Sequence, residues 1–221
     1  MAIFQRLLLV ALLAGLVTGL LTTLAHQTLT VPLILQAEAY EAPAPHSHTH
    51  PPAWQPAAGW PRTFFTAFSD VMTALGFALM LGALWTWRGA PRGWPQVLLW
   101  GLAAYASFVL APGLGLPAAL PGFEAGPLAT RQIWWLASAG ATAGGLAMLA
   151  FGRGVGWRVV AVALLFSPHL IGAPQIIAPS TALPAGLLGD FARAVWAVGL
   201  LFWLVLALST AYFFKRVGRP T

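Results

Sequence analysis

Three histidines alternate at His46, His48 and His50, and two glutamates, Glu38 and Glu41, stand just ahead of them in the stretch AEAYEAPAPHSHTHPPAW (residues 37–54). Imidazole suits zinc, copper, nickel, cobalt and iron, and carboxylates add hard-donor capacity and charge attraction. In extended backbone alternate side chains share a face and repeat about every 6.8 Å, which is too far for three ligands on one ion unless the segment bends. Pro43, Pro45, Pro51 and Pro52 keep it from becoming a helix and leave an adaptable coil. The pattern points to a low-rigidity loop that gathers metal; the plainer alternative is a polar connection that happens to hold histidines. Glu38 and Glu41 are spaced i, i+3 and share a face if helix persists to Tyr40. They read equally as first ligands at a pore mouth or as interfacial charges.

A second set of residues lies inside apolar sequence. Asp70 is the only acid within such a run, about seven residues or roughly 10 Å from its nearer end. A carboxylate there costs about 2.5–3.5 kcal/mol on insertion scales, so it should face the protein interior with a partner. His169, Arg131 and Arg62 are the candidates, and a purely structural Asp–Arg pair is the competing reading. His26 closes the first apolar run and His169 lies within the fifth. Counted along their helices, Asp70, His169, His26 and Glu38 fall at similar depth, as if they lined one outward-facing vestibule beneath the histidine loop. For His26 alone an interfacial position without a role is the competing reading, and for Arg131 it is helix-end anchoring. The half away from this vestibule holds almost nothing polar besides Ser209, Thr210 and Gln96, so a cation route there would need backbone carbonyls freed at Gly or Pro breaks, or a partner chain.

Apolar runs must position these groups. The chain is 59% hydrophobic and 7% charged, with mean hydropathy +0.78, where a soluble domain carries about 25% charge. It cannot cover a water-facing surface and reads as an all-α membrane protein. Runs of about 20 apolar residues span a bilayer, and six are found, at about 7–25, 63–87, 95–111, 131–151, 159–173 and 191–214. The fold expected is a single membrane domain over 1–221, a bundle of about six transmembrane helices, or five if the short fifth run is re-entrant or broken. The first run is expected to be a retained span, although Thr23-Leu24-Ala25 has some likeness to a signal cleavage site.

With the N-terminus inside, Arg6, Arg88, Arg92, Arg153, Arg158, Lys215, Arg216 and Arg219 share one face, against Arg62, Arg131 and Arg193 on the other. That bias obeys the positive-inside rule and places both termini in the cytoplasm and the loop 26–62 outside. The net charge of +6 is therefore a topology signal and implies no nucleic-acid partner. The chain has no cysteine, so metal ligation falls to His, carboxylate and backbone oxygen. It contains no GxxxxGK[ST], HExxH or GxSxG, which removes the phosphate-loop and common hydrolase signatures. The outer connections end in Arg62, Arg131 and Arg193, and APGLGLPAALPG (111–122) resembles APSTALPAGLLG (178–189). Three helical hairpins of common origin explain both features; so does low-complexity composition.

The blocks QRLLLVALLAGLVTGLLTTL…VPLILQAEAYE, the His-bearing loop, LAPGLGLPAALPG, RQIWWLASAGAT and PHLIGAPQ together resemble the CbtA family, proposed cobalt transporter subunits of bacteria. The likeness covers nearly the whole chain. It implies a multi-pass inner-membrane protein that imports Co²⁺ for cobalamin biosynthesis, holds no tightly bound cofactor, and works with CbtB, a small single-span subunit with its own histidine motif. The family is usually described with five spans. Its AExYE segment falls on Glu38, Tyr40 and Glu41, and its PHLIGAP segment on Pro168, His169 and Gly172.

The leading expectation is a permease subunit for a divalent cation. Ligand softness does not select cobalt, since nickel and copper bind such donors more tightly, and the membrane potential alone supplies about 4.6 kcal/mol per 100 mV for a double charge. A non-transporting scaffold or metal-delivery subunit is the second reading. An intramembrane enzyme is the third; it requires Asp70 and His169 within about 2.6–3.2 Å, and Ser167 stands on a different helix face from His169.

Overall fold

The structure, a computed structural model, describes residues 3–40, 54, 56–121, 126–174 and 183–217. His46, His48, His50 and Glu41 lie outside the described residues. Every regular element within them is helical: α1 (Ile3–Ala25), a π segment (His26–Thr30), α2 (Val31–Glu38), α3 (Trp60–Arg88), α4 (Trp94–Tyr105), a second π segment (Ala106–Leu110), α5 (Ala111–Gly115), α6 (Leu128–Phe151), α7 (Val155–Ile171) and α8 (Leu187–Val217).

Among the described residues five continuous runs are long and apolar enough to cross a membrane: Ile3–Glu38, Trp60–Arg88, Trp94–Gly115, Leu128–Phe151 and Leu187–Val217. The sixth, α7, has 17 residues, about 25 Å of helix against a hydrocarbon core of about 30 Å. The first run corrects the expected boundary. Helix does not stop at Ala25 but continues to Glu38, so the segment 26–62 begins as helix.

Proline explains how that run continues. Pro32 has no N–H, and its ring crowds the carbonyl four residues back. The turn before it widens instead of breaking, and the Val31 N–H reaches the His26 carbonyl, five residues away. The same solution recurs at Pro112, where the Ala111 N–H reaches the Ala106 carbonyl. Each π segment thus sits in the same register before its proline. A further regularity marks the hairpins: Gly59, Gly126 and Gly186 hold φ of 83°, 66° and 88° at the entrances to α3, α6 and α8. A side chain rarely adopts that region, so glycine lets the chain reverse into each returning helix.

The chain divides into two compact units. The first comprises Met1–Pro32, Ala42–Gly101 and Leu200–Thr221. In it α1 and α3 pack antiparallel through small residues. A Cβ on Gly15 would fall 2.9 Å from the Leu75 backbone, and one on Gly19 would fall 2.5 Å from Val71 Cα. In a membrane, where lipid is as apolar as leucine, such close approach is a principal source of helix association. The C-terminal part of α8 joins them. Thr18 and Ser209 hydroxyls meet at 3.1 Å, and Arg6 donates to the Phe214 carbonyl at 2.8 Å while its guanidinium lies 4.6 Å from that ring's centroid. Leu81, Trp85, Val97, Ala207 and Ala211 form the apolar core at this end.

The second unit comprises Leu33–Glu41 and Leu102–Gly199. Here α6 and α7 pack antiparallel, with Gly145 against the Ala161 carbonyl and Leu165. Ala37, Leu120, Leu187 and Phe191 form a second core. Arg193 pairs with Asp190 one turn earlier on α8, both exposed, an arrangement that contributes little to stability.

Substituting Gly19→Val should force α1 and α3 apart and cost about 1–3 kcal/mol, as overpacking generally does. Gly76→Ala on α3, where a Cβ meets nothing within 4 Å, should leave stability unchanged or slightly raised. Unfolding of the purified variants in detergent, followed by circular dichroism, measures both.

Candidate cation site

Within the first unit the close contact of α1 and α3 brings three polar side chains to one point. Thr23 lies four residues beyond Gly19, on the face that glycine opens. Its hydroxyl donates to Asp70 Oδ2 at 2.8 Å and has the Gly19 carbonyl as a competing acceptor at 2.9 Å. His26, the first residue of the π segment, places Nε2 3.8 Å from Asp70 Oδ1. The carboxylate is largely enclosed, with 16% of its side-chain surface exposed, against 30% for His26.

The Thr30 hydroxyl meets the other ring nitrogen, lying 2.8 Å from His26 Nδ1 with the His26 carbonyl as a second acceptor at 3.2 Å. One proton and two lone pairs let it serve either tautomer, accepting from an Nδ1–H or donating to a bare Nδ1. In the Nδ1–H tautomer the lone pair is on Nε2, the nitrogen that faces Asp70. In the imidazolium Nε2 carries a proton and the pair is an ion pair.

The arrangement suits a cation. A carboxylate has about four lone-pair positions, and here Thr23 fills one. Two metal–ligand bonds of about 2.1 Å each span at most about 4.2 Å, so an ion could bridge Nε2 and Oδ1 at their observed separation with a bent angle. Orientation of the imidazole by a hydrogen bond on its other nitrogen is the usual support for such a ligand. No group of three or more His, Asp or Glu is close enough to share an ion among the described residues. A metal held here would complete its shell with water, hydroxyl or groups from elsewhere.

The remaining expected site residues are placed differently. Glu38 closes α2, half-buried, in the second unit. His169 lies in the last turn of α7, also in the second unit, with its ring edge-on to Trp134 at 6.0 Å between centroids. The partners expected for Asp70 were His169, Arg131 and Arg62. Those it takes are Thr23 and His26.

A family model described as "Probable cobalt transporter subunit (CbtA)" matches residues 4–215, nearly the whole chain. The chain belongs to the CbtA family. No curated protein and no solved structure matches it. Membership in a cobalt transporter subunit family, with five helices long and apolar enough to cross a bilayer, makes this CbtA chain a multi-pass membrane protein.

Thr23 and Thr30 were absent from the sequence-level site. Threonine is common in apolar helices and carries no charge, so neither stands out alone. The legible signal was spacing: Thr23, His26 and Thr30 fall at i, i+3 and i+7, one helical face. Because Thr23 donates the one side-chain hydrogen bond that Asp70 accepts among the described residues, Thr23→Val should destabilise the α1–α3 pair by about 1–3 kcal/mol. Thr22→Val, which removes only a bond to the Thr18 carbonyl of its own helix, should cost less. In an Asp70→Ala background the Thr23→Val penalty should largely vanish, as a double-mutant cycle of unfolding free energies in detergent would measure.

Proposed function

We propose that this chain is the permease subunit of a system that takes up divalent cobalt, and that His26 and Asp70 form a transient cation site on its outer half. The observation that carries the reading is a histidine ring nitrogen 3.8 Å from a carboxylate inside a glycine-packed helix pair. A resident structural metal wants four or more fixed donors; a cargo ion must also leave. Two strong ligands without a third favour capture and release over permanent retention.

Around this centre we place the remaining candidates. His46, His48 and His50, with Glu38 and Glu41, would gather Co²⁺ outside and raise its local concentration. His169 would serve a later position. Arg6 and Phe214 meet at the opposite end of the first unit from Thr23, about 25 Å away along α1, and Lys215 and Arg216 follow directly on α8. Positive-inside bias makes that end cytoplasmic, so both termini lie inside and the His26–Asp70 pair opens outward. We further propose the bacterial inner membrane as the location, cobalamin biosynthesis as the destination of the ion, and a small single-span CbtB-type chain as the partner. No catalytic role is assigned, and no cofactor is needed.

A metal-delivery scaffold that passes ions to another protein is the second reading. It draws support from the two-ligand character of the site, since a pair of donors can hand an ion on as readily as pass it through.

Cobalt-57 uptake in cells lacking other cobalt importers separates the two, measured with and without the small partner at matched expression. Asp70→Asn should lower uptake at least tenfold at every cobalt concentration. His26→Ala should approach that loss, while the His46/His48/His50→Ala triple variant should lose uptake mainly at low cobalt. Wild-type chain that moves no cobalt in any pairing would favour the scaffold.

A further inference from the structure

The first unit has a cavity at the end away from Asp70. Its volume is about 270 Å³, and Trp94, Val97, Ala211, Tyr212, Lys215 and Arg216 line it. These residues come from the start of α4 and the end of α8. Deeper in the unit the two helices touch: a Cβ on Gly101 would fall 3.0 Å from the Trp203 carbonyl oxygen and 3.2 Å from Ala207 Cβ. One turn nearer the end, Val97 and Ala211 are still buried in the apolar core with Trp85. Past them Trp94, Tyr212, Lys215 and Arg216 are all exposed. The cavity therefore has an apolar floor and an open, basic mouth.

The two cations at the mouth have no carboxylate side chain to neutralise them within the unit. Helices α1 and α4 carry no Asp or Glu, α8 carries none beyond Asp190, and the single acid on α3 is Asp70 at the other end. Arg216 is held in place by an aromatic ring instead, its guanidinium 5.3 Å from the centroid of Tyr212 one turn earlier, a cation–π contact. Basic residues beside a span set topology without needing a cavity. Here two of them close one, beside a phenol hydroxyl and an indole.

The surroundings favour a lipid over a soluble anion. Trp94 is 64% exposed, Trp87 at the same end of α3 is 79% exposed and Tyr212 is 50% exposed. Exposed Trp and Tyr at the end of spanning helices mark the headgroup level of a bilayer. Leu98 follows Trp94 by one turn on the same face of α4 and is also exposed, so apolar surface for an acyl chain lies directly below the basic mouth.

We propose that the cavity between the start of α4 and the end of α8 binds the phosphodiester headgroup of an anionic phospholipid. Arg216 offers a planar fork that matches phosphate oxygens, and Lys215 adds a mobile point charge. Tyr212 supplies a hydroxyl donor, Trp94 flanks the glycerol, and the acyl chain runs over Leu98. Basic pockets between spanning helices on the cytoplasmic side take anionic headgroups in this way. A bound headgroup would tie α4 to α8 where their side chains part. The site lies apart from the His26–Asp70 pair and does not depend on which ion the chain moves.

Native mass spectrometry of the full-length chain, released from detergent after titration with dioleoylphosphatidylglycerol or dioleoylphosphatidylcholine, counts the lipids retained. The wild type should hold one phosphatidylglycerol more tightly than phosphatidylcholine by roughly tenfold or more. Lys215→Gln/Arg216→Gln, both at exposed positions, should lose that preference. Arg153→Gln/Arg158→Gln, which removes two exposed charges from the second unit, should keep it. Millimolar inorganic phosphate should leave the lipid in place. Equal retention of the two lipids by the wild type, a preference that survives Lys215→Gln/Arg216→Gln, or equal loss in both double variants would overturn the site. Displacement by inorganic phosphate would overturn the lipid as its occupant. The readout is lipid retention, so it can fail while Asp70→Asn still abolishes cobalt uptake, and the reverse.

Discussion

The first unit is organised by the need to keep a carboxylate inside an apolar helix pair. Asp70 cannot be left bare in hydrocarbon, and α3 alone offers it nothing. The answer lies on α1. Gly15 and Gly19 remove the side chains that would hold α1 and α3 apart, and the close approach lets a hydroxyl as short as that of Thr23 reach Oδ2. The packing and the site are therefore one feature. Filling either glycine would separate the helices and strip the carboxylate of its donor together.

Proline sets the second constraint. Pro32 would ordinarily end or kink a helix, but the wide turn ahead of it carries the chain on as a single run to Glu38. His26 is the first residue of that turn, and its Nδ1 contact with Thr30 is made across it. The matching turn before Pro112 performs a similar service in the second unit, where the chain continues into α5 and meets Trp134 at Gly115. Wide turns of this type recur at functional positions because they expose backbone groups and reposition side chains without breaking the helix. In the first unit the irregular turn adjoins the polar residues that the surrounding apolar sequence makes conspicuous, Asp70 and His26.

Much of the architecture is legible in the amino-acid sequence. Composition excludes a soluble domain, and apolar run length yields the helices, because a spanning segment must satisfy its own backbone bonds. Asp70 and His26 are conspicuous for the same reason: charge and imidazole are rare in such runs. The end of the first helix is not legible, since His26 and Pro32 both look like a stop and the π turn that absorbs them has no distinctive composition. Thr23 is hidden as well. Its importance depends on which face of α1 meets α3, and that is decided by glycines whose role is to be absent.

The sequence by itself determined that this protein is helical and membrane-spanning and that its polar chemistry is confined to a few positions. It also carries, in its ordered blocks, membership in the CbtA family of probable cobalt transporter subunits. These properties follow from local composition and period, which act along the chain. Tertiary structure alone decided the pairing: that Asp70 meets Thr23 and His26, and that Thr30 holds the other nitrogen of the imidazole. Pairing depends on how closely two helices approach and on which way each is rotated. Those quantities are set by the sum of many small contacts, and no single motif encodes them.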